Sequence, residues 1–162
     1  MRTAIIPGSF DPMTLGHLNI VERALGLFDR VVIAIMVNPE KAASVMFSFA
    51  DRKRIAELTV GDLPGVTVIT AGGYLADLAG ALRACAIVKG VRNTGDFEYE
   101  QEMAVFNHER NPFAQTVYLP AYDDMANISS TAARHAIGRG EDLEKYLAPA
   151  AIEYIRTLRG RE

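Results

Sequence analysis

Sulfur chemistry is nearly absent from this chain: its 162 residues contain one cysteine, Cys85, and no tryptophan. A lone cysteine forms no internal disulfide, and without a CxxC pair there is no thiol-based zinc site. Cys85 sits in the apolar run ALRACAIV with no basic neighbour before Lys89. It therefore reads as a small buried core residue and not as a reactive thiol. His17, His108 and His135 are far apart in sequence and no HExxH occurs, which argues against a metal held by the protein. Long apolar runs are missing too: none approaches the roughly 18 residues of a membrane span. Met1-Arg2-Thr3 leads into three apolar residues and then Pro7, unlike a secretory signal. A cytoplasmic protein with no membrane partner is expected. No Lys/Arg cluster stands out against a net charge of −3, so a sequence-independent nucleic-acid surface is not expected either.

What is present is alternation. Residues 2–7, 31–37, 66–70, 86–89 and 116–120 are short, apolar and rich in β-branched side chains. Near-continuous hydrophobicity, as in VVIAIMV, suits strands buried on both faces of a parallel sheet. Between them lie helical stretches at 15–28, 50–60, 74–84 and 96–110, followed by candidates at 129–138, 142–146 and 149–158. In the first, Leu18, Val21, Leu25 and Phe28 share a face. The pattern predicts one domain over 1–162, an α/β doubly wound five-stranded parallel sheet of Rossmann-like type with right-handed crossovers. Residues 38–49 and 90–96 read as loops.

Ligands of such sheets bind at the carboxyl ends of the strands. The segments that follow the predicted strands carry His17, Lys41, Lys89 and Arg92, with hydroxyls at Ser9, Ser129, Ser130 and Thr131. An acidic protein that gathers cations and donors at one rim is built for phosphate-bearing substrates. The loop GSFDPMTLGH, residues 8–17, is neither a Walker loop nor GxGxxG, which removes the main support for a nicotinamide dehydrogenase. Gly8 and Gly16 let a phosphate approach the backbone, at a helix start whose free amides favour an anion. His17 is either a cap of that helix or a ring N–H donor to the anion. Ser129 or Ser130 is an N-cap, and the same amides suit a phosphate. In DFEYEQE, residues 96–102, acids near a helix start compensate its dipole, but Glu100 lies off the face of Glu98 and Glu102.

Together these residues resemble the phosphopantetheine adenylyltransferases, nucleotidylyltransferases with a T/HxGH signature. The signature stands here as Thr14-Leu15-Gly16-His17, the ISSS/T element as Ile128-Ser129-Ser130-Thr131, and the more diagnostic segment as KGVRNTGDFEYE, 89–100. The resemblance implies adenylyl transfer from ATP to 4′-phosphopantetheine, giving dephospho-coenzyme A and pyrophosphate, the penultimate step of coenzyme A synthesis. The acceptor phosphate would attack the α-phosphorus in line, with no covalent enzyme intermediate. By position, His17, Lys41, Arg92 and Ser129 would be catalytic. Ser9, Phe10, His17, Gly90, Val91, Arg92 and Glu100 would contact ATP. So would the stretch Met125, Ala126, Asn127, Ile128, Ser129, Ser130 and Thr131. Ser9, Lys41, Leu75 and Lys89 would hold phosphopantetheine. Mg²⁺ would arrive on the ATP phosphates, coenzyme A is a candidate feedback ligand, and a homohexamer is implied. Lys89 stands where arginine is frequent, and the loop KAASVMFSF, 41–49, departs from the family pattern. Two rivals stand beside this reading. ISSTAAR, with Arg134, resembles the nicotinate-mononucleotide adenylyltransferases; a non-catalytic nucleotide-binding module is the other.

Overall fold

A computed structural model of the chain describes residues 1–36, 44–122 and 124–160. Five strands, β1 (Thr3–Gly8), β2 (Arg30–Met36), β3 (Val66–Ala71), β4 (Ala86–Val91) and β5 (Gln115–Pro120), form one parallel sheet in the order β3-β2-β1-β4-β5. The helices are α1 (Leu15–Leu25), α2 (Phe49–Val60), α3 (Leu75–Ala81), α4 (Thr94–Arg110), α5 (Ser130–Arg139) and α6 (Pro149–Arg159). The strand residues divide between two apolar layers with period two, as a pleated sheet requires. Ala4, Ile6, Val31, Ile33 and Ile35 face the layer that includes Val21, Ala24 and Ala56. Ile5, Val32, Ala34 and Ile87 face the layer of Ala79, Leu75 and Leu78. A third cluster joins α5 and α6 to Ile55 of α2 and to Phe47.

Each of four helices opens on a side chain that accepts a first-turn amide: Thr14, Ser48, Asn93 and Ser129. Such caps satisfy donors that the helix itself leaves free.

Strands β1 and β4 are joined at only Ala4–Ala86 and Ile5–Ile87, whereas every other adjacent pair is joined at six positions. Beyond Ile5 the two central strands therefore part toward their carboxyl ends. This is the switch point of the sheet, where a doubly wound fold holds its ligand. Ile20 of α1 reaches Gly90 there: a Cβ on Gly90 would lie 3.0 Å from Ile20 Cγ1.

Four expectations are corrected. The first helix ends at Leu25, with Gly26 as its C-cap. No helix forms over 142–146. Residues 144–146 make a turn instead, in which the Tyr146 carbonyl accepts from Leu15 N (2.8 Å), the first amide of α1. Residues 90–96 are mostly not loop: Gly90 and Val91 pair with Leu119 and Pro120, and α4 begins at Thr94. Cys85 is exposed: it lies on the approach to β4, ahead of the buried run Ala86–Val88, with its Sγ donating to the Thr3 carbonyl at 3.4 Å. Of the expected 38–49 loop, residues up to 43 lie outside the described residues, and α2 already begins at Phe49.

Gly16 in α1 is held by packing: a Cβ there would sit 2.8 Å from the Ile128 carbonyl oxygen, a backbone atom that leads into α5. Gly138 in α5 faces open space. Gly16→Ala should therefore lose about 1–3 kcal/mol, as overpacked sites do. Gly138→Ala should gain up to about 1 kcal/mol through helix propensity. Urea denaturation of the two variants checks the contrast.

Candidate active site

Where β1 and β4 part, the loop between β1 and α1 is part of the core. Phe10, Asp11, Met13 and Thr14 are all at most 3% exposed. A buried loop must have its polar groups satisfied, and side chains from three directions do so. The Asp11 carboxylate accepts the amides of Met46 (2.8 Å) and Phe47 (2.9 Å). Arg52 Nη1 of α2 donates to the Ser9 carbonyl at 3.0 Å. From α5, Ser130 Oγ donates to the Pro12 carbonyl and Arg134 Nη1 to the Asp11 carbonyl, both at 2.8 Å.

Thr14 and His17 form a reciprocal cap at the start of α1. The Thr14 hydroxyl accepts the His17 amide, and the Thr14 amide donates to His17 Nδ1 at 2.9 Å. Because Nδ1 accepts, the neutral ring carries its proton on Nε2. Burial, with the Arg92 charge as a second cause, lowers the His17 pKa to about 4. At neutral pH the side chain is therefore an uncharged N–H donor fixed at a helix N-terminus. The ring stands edge-on to Phe10, with centroids 5.0 Å apart. The capping reading of His17 is met by Nδ1, and that bond leaves Nε2 as the nitrogen free to donate.

The cations of β4 have carboxylate partners on α4. Lys89 Nζ lies 2.9 Å from Glu100 Oε2, in a pair largely shielded from solvent. This gives Glu100 the separate role that its off-face position required. Arg92 Nε lies 2.9 Å from Asp96 Oδ2, and hydrogen bonding by Arg92 holds the Asp96 carboxyl below its usual range. Asp96 is thus an ion-pair partner as well as a dipole counter-charge. Burial, then the Glu100 charge, raises the Tyr118 pKa.

Ser9 and Phe10 thus lie on the loop that leads to His17 at the start of α1; Ser130 docks on that loop through Pro12, and the Ile128 carbonyl packs against Gly16. Arg92 is close enough to affect His17. Ser129 is the N-cap of α5, its hydroxyl accepting from Ala132 N. Met125 and Ala126 donate their amides to the Tyr122 carbonyl and Ile128 to that of Met125, so 124–128 turns compactly into α5. Asn127 and Thr131 are exposed. Leu75 opens α3 and packs with the layer that contains Ile5 and Val32; no described contact joins it to His17. Lys41 lies outside the described residues.

Sequence reasoning missed Asp11 and Arg52 altogether and treated Arg134 only as a family marker. A signal existed for Arg52: it occupies the 52, 55, 56, 59 stripe of α2, the face that is buried. Asp11 had no such signal, since its partners are backbone amides 35 and 36 residues away.

Residues 5–136 match the cytidylyltransferase-like family. A phosphopantetheine adenylyltransferase of Flavobacterium johnsoniae is 45% identical over 152 residues, covering 94% of this chain and 97% of its own. One from Heliobacterium modesticaldum is 36% identical and spans 99% and 98% of the two chains. The chain belongs to the phosphopantetheine adenylyltransferase family. A solved structure from Vibrio parahaemolyticus, described as a nicotinate-nucleotide adenylyltransferase, superposes with a TM-score of 0.72. It covers 97% of this chain and 93% of its own at 20% identity, which speaks for the shared fold. The TxGH segment of this family member is the N-cap and first turn of α1, with His17 at its end.

Protonation of His17 would break the bond from the Thr14 amide. An unfolded histidine takes up a proton as pH falls through about 6.5; folded His17 does so only near 4. Between these values the unfolded chain binds more protons, so the His17 contribution is complete above the upper value and lost as pH falls to the lower. His17→Gln should flatten the decline of Tm across that window. The His17 ring resonances should titrate near 4 in the folded wild type.

Proposed function

We infer that the protein transfers the adenylyl group of ATP to 4′-phosphopantetheine, forming dephospho-coenzyme A and releasing pyrophosphate in the penultimate step of coenzyme A synthesis. The observation that carries this reading is the neutral, half-buried His17 donor at the start of α1 in a chain of this family. An acceptor phosphate is already an anionic nucleophile and needs no general base. It attacks the α-phosphorus in line; the new P–O bond forms as the bond to the pyrophosphate oxygen breaks, with no covalent enzyme intermediate. What the site must supply is alignment and relief of charge repulsion.

His17 Nε2–H donates to the ATP phosphates without adding a charge that must be buried. Ser9 contacts both phosphates, and the backbone of Phe10 lines the nucleotide. Lys89, with Lys41 and Leu75, holds phosphopantetheine; Gly90, Val91, Arg92 and Glu100 hold ATP. The turn 125–128 and α5, through Ser129, Ser130 and Thr131, cover the nucleotide. The Ser130 proton is engaged by Pro12, so that residue serves the loop and offers a phosphate its amide.

Among the described residues no group of three or more His, Cys, Asp or Glu could hold a metal. Of the carboxylates near the site, Asp96 and Glu100 are engaged by Arg92 and Lys89, and Asp11 by the amides of Met46 and Phe47. This donor set suits Mg²⁺ held by the ATP phosphates, where it would neutralise charge on the triphosphate. Coenzyme A, which combines chemical parts of both substrates, would compete for the same cleft as a feedback ligand. No helix among the described residues is long and apolar enough to cross a membrane, and both substrates are phosphorylated metabolites, in keeping with a cytoplasmic enzyme.

The rival reading toward nicotinate mononucleotide rested on Arg134. That side chain donates to the Asp11 carbonyl and to Thr131 Oγ1, a role within the fold that requires no pyridine substrate. A homohexamer fits the surface of α4, where Phe97, Tyr99, Met103, Val105 and Phe106 are exposed. Apolar side chains clustered in this way favour a protein partner.

Purified protein given ATP, Mg²⁺ and 4′-phosphopantetheine should form dephospho-coenzyme A, and nicotinate mononucleotide should not substitute. Absence of product with the first acceptor, or turnover of the second, would sink the assignment. His17→Ala should keep the fold and lose on the order of 10²–10³ in kcat, the usual cost of one preorganised donor. Sedimentation should give a particle of homohexamer mass, against 17.7 kDa for one chain, and Phe106→Glu should shift it toward smaller species.

A further inference from the structure

Arg52 is a buried cation without a counter-ion. The residue is 3% exposed, its Nε is buried with no hydrogen-bond partner, and no carboxylate lies within 4.0 Å of it among the described residues. Its described interactions are the bond from Nη1 to the Ser9 carbonyl (3.0 Å) and stacking of the guanidinium on Phe49, 4.4 Å from the ring centroid. Arginine does not give up its proton in a protein, and burying an unpaired charge is costly. Something must offset that cost.

The acceptor of its one strong bond indicates what. Ser9 and Phe10 share a peptide group, and in a trans peptide the N–H points away from the C=O. Holding the Ser9 carbonyl toward α2 therefore turns the Phe10 N–H the other way, and that N–H has no partner among the described residues. Phe10 itself has φ +47°, a left-handed conformation that a bulky side chain adopts only when its surroundings impose it. The surroundings are the Phe10 ring, packed edge-on to His17 and so close to Gly8 that a Cβ there would be 3.0 Å from it, together with the Arg52 bond.

We propose that Arg52 is a positioning residue, which locks the Ser9–Phe10 peptide with its N–H presented to a substrate phosphate and whose buried charge is balanced when that anion is bound. The proposal rests on the reading of this loop as the phosphate site. It separates Arg52 from an ordinary core contact, because its energetic return comes from the liganded state. It also explains why an arginine occupies the buried stripe of α2.

The test compares wild type, Arg52→Met and Arg52→Lys as full-length proteins. Steady-state pyrophosphate release and the rise in Tm on adding inorganic pyrophosphate or ATP with Mg²⁺ are both measured. Met matches much of the volume but carries no charge or donor. Arg52→Met should lose about 10²-fold in kcat/KM, mainly in kcat, as expected for loss of a preorganised donor. Its Tm without ligand should equal or exceed that of wild type, while the ligand-induced rise shrinks. Arg52→Lys, which keeps the charge but not the fork, should fall between them on both readouts and stands in if the Met variant does not fold. The proposal is overturned if Arg52→Met, or Arg52→Lys in its place, keeps wild-type kcat/KM and an undiminished ligand shift. A fall in unliganded Tm with normal turnover per folded molecule also overturns it, since that describes a merely structural arginine. If wild type makes no dephospho-coenzyme A, the substrate assignment fails, while the pyrophosphate-induced Tm shift still decides the role of Arg52.

Discussion

The structure is organised around a loop that behaves as core. Loops usually lie at the surface because their backbone groups need water, yet residues 10–14 are sealed between the sheet, α2 and α5. Asp11 accepts two amides from the segment before α2, Arg52 takes the Ser9 carbonyl, and Ser130 and Arg134 take the next two free carbonyls. A loop satisfied in this manner cannot shift without breaking several buried hydrogen bonds, each expensive to leave unmade. Its rigidity gives the histidine at its end a fixed direction.

Electrostatics follow from the same burial. A charged imidazole would gain from a phosphate but would need stabilising when no phosphate is there. Desolvation, then the Arg92 charge, keeps His17 neutral, so its N–H is available without that cost. The full charges lie farther out, on Lys89 and Arg92, where α4 supplies Glu100 and Asp96 as counter-ions. The site thus combines a neutral N–H donor with cations paired to carboxylates of α4.

Local patterns carried much of this into the sequence. The five strands are within one to two residues of their expected bounds because buried parallel strands are continuous apolar runs, and the caps at Thr14, Ser48, Asn93 and Ser129 use the residue types that capping requires. The errors have physical causes. The 142–146 stretch has helical composition, but it turns so that the Tyr146 carbonyl can meet α1. Cys85 looks apolar in context, but it lies on the exposed approach to β4, just ahead of the buried run Ala86–Val88. Two glycines have close protein neighbours that sequence spacing did not reveal: Gly16 accommodates the Ile128 carbonyl and Gly90 accommodates Ile20.

The sequence alone determined the α/β alternation, the helix starts and the family to which the chain belongs, since all of these are written in contiguous residue patterns. Only the tertiary structure decided which nitrogen of His17 is left to donate, that Glu100 answers Lys89, that β1 and β4 separate to open the cleft, and that Asp11, Arg52 and Arg134 hold the loop. Those outcomes depend on atoms brought within about 3 Å from positions tens of residues apart, a distance at which hydrogen bonds form and which sequence spacing does not encode.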